Sequence, residues 1–346
     1  MSVRRVPSPL LALVLALAGC AKSPGGETAV FATVVDDGGR EVSVAAPPTR
    51  IISMIPAITE TIVALGAADR LVARTAFDED PSLAHLPSTE QALIPSIEWL
   101  ARLRPELVVM WRDGQTRTTA ARLADLGIPA YGAAIETLDD VDSTIRRIGR
   151  LLGLDARADS LVARIHAELD EVRRAVAGRG RPRVLYLIGR DPAMIAGPGT
   201  FADELIAVAG GENVFSDGPA GWPQVSLEEI VRRQPDVLIV PTGDWDGDRL
   251  LEWFRRAAGW RELRAVREGR VYAVDATIFN RPGPRVGLVA RQIAEILHPG
   301  ALAEAPFDPR AAAAAPPSAA IPPVRPTIPE SGATTGPGAP SPEATP

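Results

Sequence analysis

The chain has 346 residues, 46% of them hydrophobic, and a formal net charge of −6. It is long enough to bury a large core, and the acidic balance without any basic tract argues against nucleic acid as a partner. Cys20 is the single cysteine, which excludes an intrachain disulfide and a cysteine metal site.

Residues 1–19 read as an export signal. Arg4 and Arg5 supply positive charge, and Leu10 to Ala18 form an apolar run too short to span a bilayer. The run ends Leu17-Ala18-Gly19-Cys20, which resembles the lipobox of bacterial lipoproteins. The resemblance implies that Cys20 is acylated, becomes the mature N-terminus and tethers the protein to a membrane outside the cytoplasm through residues 20–28. Two acyl chains are what durable anchoring requires.

Residues 29–137 read as an α/β lobe. Val30 to Val35 and Arg40 to Val44, joined by Asp36-Asp37-Gly38-Gly39, predict a β-hairpin lying on it. Arg50 to Met54 predicts a strand and Thr59 to Leu65 a helix. Ser96 to Met110 then predicts a capped helix, a Pro-acidic turn and a continuous apolar strand.

Residues 138–180 form a helical connection. Val141, Ile145, Ile148 and Leu152 recur at helical spacing, and Gly153 breaks the run. A second helix is predicted over 155–177, with Leu161, Ile165, Leu169, Val172 and Val176 on one face. It is long enough to cross both lobes once, which limits their hinge motion.

Residues 181–300 read as a second lobe, because they repeat the first. Arg183 to Leu187 matches the opening strand, and Ser226 to Val240 echoes Ser96 to Met110. Glu229, three residues after Ser226, predicts a capping box. The fold class is therefore α/β: two similar lobes with mostly parallel sheets, joined by one long backbone helix, with a ligand cleft between them. Residues 301–346 are dominated by Ala, Pro, Ser, Thr and Gly and predict a disordered tail.

Several segments carry a family resemblance. They are Asp37-Gly38-Gly39-Arg40, Pro48 to Ser53, Pro56-Ala57-Ile58-Thr59-Glu60, Pro95 to Gly114, Pro223 to Ser226, and Pro284-Arg285 before a last helix over 286–297. In this order they resemble the helical-backbone periplasmic binding proteins, which carry cobalamin, ferric siderophores or haem to ABC importers. Met110 to Gly114, Gly221 to Ser226 and Ile278 to Arg281 are most similar to the cobalamin-binding members. Those members carry more aromatic residues, at places near Ala92, Met194 and Ile278, and a disulfide that this chain cannot form.

In open α/β lobes ligands bind beyond the carboxyl ends of the strands. That rule and the resemblance make Phe77, Trp111, Arg112, Met194, Trp222, Pro223, Thr277, Ile278, Phe279, Asn280 and Arg281 candidate ligand-binding residues. Flat aromatic faces suit a corrinoid ring, and Arg112, Asn280 and Arg281 can hydrogen-bond ligand amides or carboxylates. The bland alternatives are loop or core packing for the aromatics and surface ion pairs for the arginines. Glu98 and Glu228 each follow a cap serine by two residues, one per lobe. The resemblance implies that they dock on arginines of an ABC permease, whereas acids in a first turn also serve the helix dipole.

His85, His166 and His298 are scattered, with no ligand spacing around them, so no metal site is expected. No nucleophile elbow or catalytic constellation occurs, so the chain is not read as an enzyme, and it needs no cofactor. Gly197 to Ala202 fits a dinucleotide fingerprint formally but reads as a loop before a helix. The expected function is a monomeric extracytoplasmic lipoprotein that delivers cobalamin or a related corrinoid to an ABC importer. The alternatives are a ferric siderophore or haem carrier and, from another class, a ligand-sensing or scaffold lipoprotein.

Overall fold

A computed structural model describes residues 30–89, 96–243 and 247–302. Cys20, the signal and tether, Ala92 and all of the tail beyond Leu302 lie outside the described residues.

The chain opens on the expected hairpin, β1 (Ala32–Val35) antiparallel to β2 (Glu41–Val44). The buried Asp36 closes its turn. Oδ1 accepts from the Gly38 and Arg40 backbone N–H groups, and Oδ2 accepts from the Arg40 guanidinium at 2.6 Å and from Gly132 N–H at 3.2 Å. Burial works to raise the Asp36 pKa, but the donors of Arg40 and Gly132 together hold it below the usual carboxylate range. One carboxylate thus shapes the turn and fastens the hairpin to the first lobe.

The first lobe continues with β3 (Ile51–Ser53), α1 (Pro56–Ala64), β4 (Leu71–Ala73), α2 (Ile97–Arg102), β5 (Leu107–Trp111), α3 (Gly114–Asp125) and β6 (Ala130–Ala133). Its sheet runs β4-β3-β5-β6 with every pair parallel. The first helix begins earlier than the hydrophobic pattern indicated, because Pro56 is pre-set for a helix start.

Two helices follow, α4 (Leu138–Leu152) and α5 (Asp155–Val176). A capping box between Thr137 and Asp140 starts α4, and Gly153, at φ 68°, ends it in the left-handed conformation. The 22 residues of α5 extend about 33 Å. Its apolar face packs on α4, α6 (Phe201–Val208) and α11 (Val286–Leu297), and so links both halves of the molecule.

The second lobe comprises β7 (Arg183–Arg190), β8 (Ala193–Ile195), α6, β9 (Glu212–Asn213), β10 (Gln224–Val225), α7 (Leu227–Arg233), β11 (Val237–Thr242), α8 (Gly247–Arg256), α9 (Arg264–Arg267), β12 (Val271–Asp275), α10 (Ala276–Phe279) and α11. Strands β7, β11 and β12 are parallel neighbours, and β9 joins the start of β7 in parallel. The end of β7 pairs antiparallel with β8, which pairs antiparallel with β10. After Arg190 the chain turns back into β8, and Met194 lies inside that strand between Gly189 and Gln224.

The unbroken apolar strands have a simple cause. Successive side chains point to opposite faces, and here both faces are buried. Leu107 and Val109 enter a central core, while Val108 and Met110 enter a smaller one. Likewise Val237 and Ile239 face the central core, and Leu238 and Val240 face a third. The central core runs through both lobes and α4, α5 and α11.

The repeat extends to atomic detail. Ser96 Oγ caps Trp99 N–H and Ser226 Oγ caps Glu229 N–H, each at 3.2 Å. Both helices are followed by a non-glycine residue at φ 46°, Arg104 and Gln234, each before a proline. Arg50 Nη2 donates to Leu103 O and Arg183 Nη1 to Arg233 O, both at 2.7 Å, so each opening strand clasps the end of its lobe's helix. The capping box expected at Glu229 is absent, because that carboxylate turns to Arg232 and to Arg233 Nε, the latter at 2.7 Å.

Candidate functional site

Among the contacts that join the lobes are those of Trp222 with Glu136 and of Arg281 and Arg285 with Glu60. Trp111 is the last residue of β5 and not the residue after it. The four preceding residues are buried, yet Trp111 is 42% exposed. A stiff parallel strand therefore offers an indole to solvent. Arg112 follows it, also exposed, with its backbone N–H on Ala133 O at 2.7 Å. Its guanidinium makes no ion pair among the described residues.

Trp222 belongs to the other lobe and is half-buried. Its ring packs 5.5 Å from Phe201 and 6.4 Å from Tyr186, centroid to centroid. Its Nε1 donates to Glu136 Oε2 at 3.3 Å, across to the segment that leaves the first lobe. Pro223 O accepts from Ile195 N–H at 3.1 Å, which ties this loop to β8. Gly197 lies below it, and a Cβ there would come within 2.2 Å of Pro219 O. The glycine of the formal fingerprint thus permits a close backbone approach, and Thr200 caps α6.

Thr277, Ile278 and Phe279 lie in a short helix that directly follows β12. Asp275 caps it, accepting from Thr277 N and Oγ1 at 2.7 Å each. Ile278 is half-buried and Asn280 exposed. Phe279 is 1% exposed and packs in the central core, so its side chain does not face the cleft. The buried Tyr186 hydroxyl donates to Phe279 O at 2.8 Å and lies 3.2 Å from Asn280 Oδ1. Burial pushes this phenol well above its ordinary pKa, so it stays a neutral donor.

Arg281 is engaged in an interlobe cluster. Nη1 donates to Glu60 Oε1 at 3.0 Å, and Nη2 donates to Phe77 O at 2.6 Å. Arg285 completes the cluster with two hydrogen bonds to Glu60, at 2.9 and 2.6 Å, and one to Thr277 O at 2.9 Å. Glu60 lies on α1 and both arginines lie in the other lobe. Gly283 sits against the same helix, where a Cβ would stand 3.1 Å from Ala57 O. A cavity of about 400 Å³ flanks the cluster, lined by Glu60, Asp78, Pro81, Arg164, Arg281 and Arg285, among others. Burial raises the Asp78 pKa against the hydrogen bonds it accepts from Thr75. The half-buried Phe77 enters this network through its backbone.

The structure therefore brings Phe77, Thr277 and Arg281 into one interlobe cluster. Glu60, Arg285 and Glu136 are further members of the contact that sequence reasoning did not single out as site residues. Glu60 and Arg285 stand in segments that carried the family resemblance, but their pairing across about 225 residues leaves no local pattern. Glu98 and Glu228 are both exposed, in the first turns of α2 and α7. No three His, Cys, Asp or Glu side chains among the described residues form a metal-holding group.

A model described as "Periplasmic binding protein" matches residues 51–277. The vitamin B12-binding protein of Pectobacterium carotovorum subsp. carotovorum (strain PC1) is 30% identical over 249 residues, 71% of this chain and 87% of that protein. The crystal structure of the periplasmic vitamin B12 binding protein BtuF of Vibrio cholerae superposes with a TM-score of 0.61 at 27% identity, over 72% of this chain and 97% of its own. The apo periplasmic heme-binding protein RhuT from Roseiflexus sp. RS-1 does so with a TM-score of 0.63 at 29% identity, over 73% and 99%. With a family match over most of its described length and both lobes shared with these structures, this chain belongs to the periplasmic binding protein family.

Proposed function

We propose that this protein binds cobalamin or a related corrinoid between its lobes and delivers it to the permease of an ABC importer. The observation that carries the reading is a pair of indoles, one per lobe, which we assign to the walls of the interlobe cleft. Trp111 is exposed at the end of a buried strand, and Trp222 is held by Phe201, Tyr186 and Glu136. A corrin is a broad, mostly apolar ring edged with amides, which flat aromatic walls and the polar Thr277 and Asn280 suit. The curated B12-binding relative supports the same ligand. Met194, Pro223 and Ile278, half-buried beside these groups, complete the proposed wall. Glu98 and Glu228 supply one exposed carboxylate per lobe for docking on permease arginines. Cys20 is the lipid attachment point, which holds the protein outside the cytoplasmic membrane as a monomer.

A titration of the purified chain with cyanocobalamin tests the ligand. Saturable binding that weakens at least tenfold on Trp111→Ala supports it, and no binding refutes it. The second reading, a ferric chelate or haem, draws on the exposed Arg112 and on the heme-binding structural relative. A charge-assisted contact from Arg112 to an anionic ligand makes that affinity sensitive to salt.

A further inference from the structure

Two cations stand at the interlobe contact, next to the Thr277–Asn280 segment, and neither is free. One carboxylate from the opposite lobe holds both. Glu60 Oε1 accepts from Arg281 and Arg285, and Oε2 accepts from Arg285 Nε. Each guanidinium also donates to one backbone carbonyl, Arg281 to Phe77 O and Arg285 to Thr277 O. The Arg281 side chain is only 13% exposed and Glu60 20%, so bulk water screens this cluster less than a surface pair. The buried Asp78 adds a second carboxyl on the Arg281 side. Two guanidiniums near a binding cleft would ordinarily select carboxylate or hydroxamate ligands by charge-assisted hydrogen bonds. Here both are already paired with Glu60 and anchored to a backbone carbonyl.

We propose that Glu60 is a specificity-determining positioning residue. By holding Arg281 and Arg285 across the interlobe contact, it withdraws two cations from the cleft, so that the cleft admits a neutral, amide-edged ligand and disfavours an anionic one. The proposal rests on the reading of the cleft as a ligand site and sharpens the ligand class. Without Glu60, both guanidiniums lose the carboxylate with which they form ion pairs and can swing toward a bound anion. Discrimination of this kind is a difference of two affinities, and here the negative element is an arginine pair kept out of reach.

The test uses the full purified chain, Glu60→Gln as an isosteric variant without the charge, and Glu60→Ala. Each is titrated with cyanocobalamin, which is neutral at the corrin edge, and with haemin, which carries two propionates. Relative to the wild type, the variants are expected to shift the affinity ratio at least tenfold toward haemin, and the gain is expected to vanish in high salt. A latch with a purely structural role weakens both ligands alike, and that result overturns the proposal. A second readout needs no ligand. Phenylglyoxal modification followed by peptide mass analysis is expected to label Arg281 and Arg285 at least tenfold faster in Glu60→Gln than in the wild type. Unchanged labelling overturns the masking whatever the wild type binds. If the wild type fails to bind cyanocobalamin, the corrinoid reading falls, while the labelling rates and haemin affinities still decide the role of Glu60.

Discussion

Trp111 and Trp222 differ in what holds them, and their variants should differ accordingly. Trp111 is 42% exposed, so Trp111→Ala is expected to change unfolding stability by no more than about 0.5 kcal/mol while reducing corrinoid affinity at least tenfold. Trp222 packs on the central core, so Trp222→Ala should lower both stability and affinity. Denaturant melts run beside ligand titrations separate the two. Asp36 is a different case, since its carboxylate collects donors from the turn and from Gly132. Removing it in Asp36→Ala is expected to cost about 2–3 kcal/mol, read by urea unfolding, because charged hydrogen bonds are lost and buried donors are orphaned. At this scale the sequence was only partly informative. The aromatic candidates could be named from their neighbours, but the commitment of Arg281 to Glu60 depends on two segments that meet only in space. The burial of Phe279 was equally hidden, since its hydrophobicity fits a cleft and a core alike.

Among the elements, α2 and α7 are the clearest repeat. Ser96→Ala and Ser226→Ala each remove one side-chain cap and are each expected to cost about 1 kcal/mol in denaturant unfolding. The end of α11 carries a pH response. His298 is buried there, and burial, with Arg179 and Arg270 nearby, lowers its pKa against a hydrogen bond to Gly210 O. A histidine depressed below its unfolded value of about 6.5 contributes stability that is present above that value and is lost as pH falls through the folded one. The protein should therefore lose stability as pH falls below about 6.5, and His298→Gln should flatten that loss in a series of thermal melts. Elements were the most legible level. Long periodic helices such as α4, α5 and α11 and the doubly buried strands β5 and β11 carry strong, local patterns. The short strands β8, β9 and β10 do not, because two or three residues are too few to show a period and their pairing is set by the turn after Arg190.

For the whole molecule, α5 and the continuous core join the lobes along one side, and the Glu60 cluster and the Glu136–Trp222 contact tie them near the cleft. Such a frame favours small adjustments over wide closure, and the proposed docking carboxylates Glu98 and Glu228 are exposed without any such movement. Replacing Glu98 and Glu228 together by alanine is accordingly expected to leave ligand affinity unchanged and to abolish uptake in cells. A fall in affinity in that double variant would contradict the docking role. The two-lobe plan was readable because Ser226 to Val240 echoes Ser96 to Met110, and the structure extends that repeat to paired φ angles and paired arginine clasps. The interface between the repeats was not, since each half satisfies its own pattern without reference to the other. The most direct test of the central claim is calorimetric titration of the purified chain with cyanocobalamin, with haemin and a ferric hydroxamate run in parallel. One-to-one cobalamin binding, lost at least tenfold in Trp111→Ala and tighter than either iron chelate, is the predicted result. Tight binding of an iron chelate with no detectable cobalamin binding would contradict it.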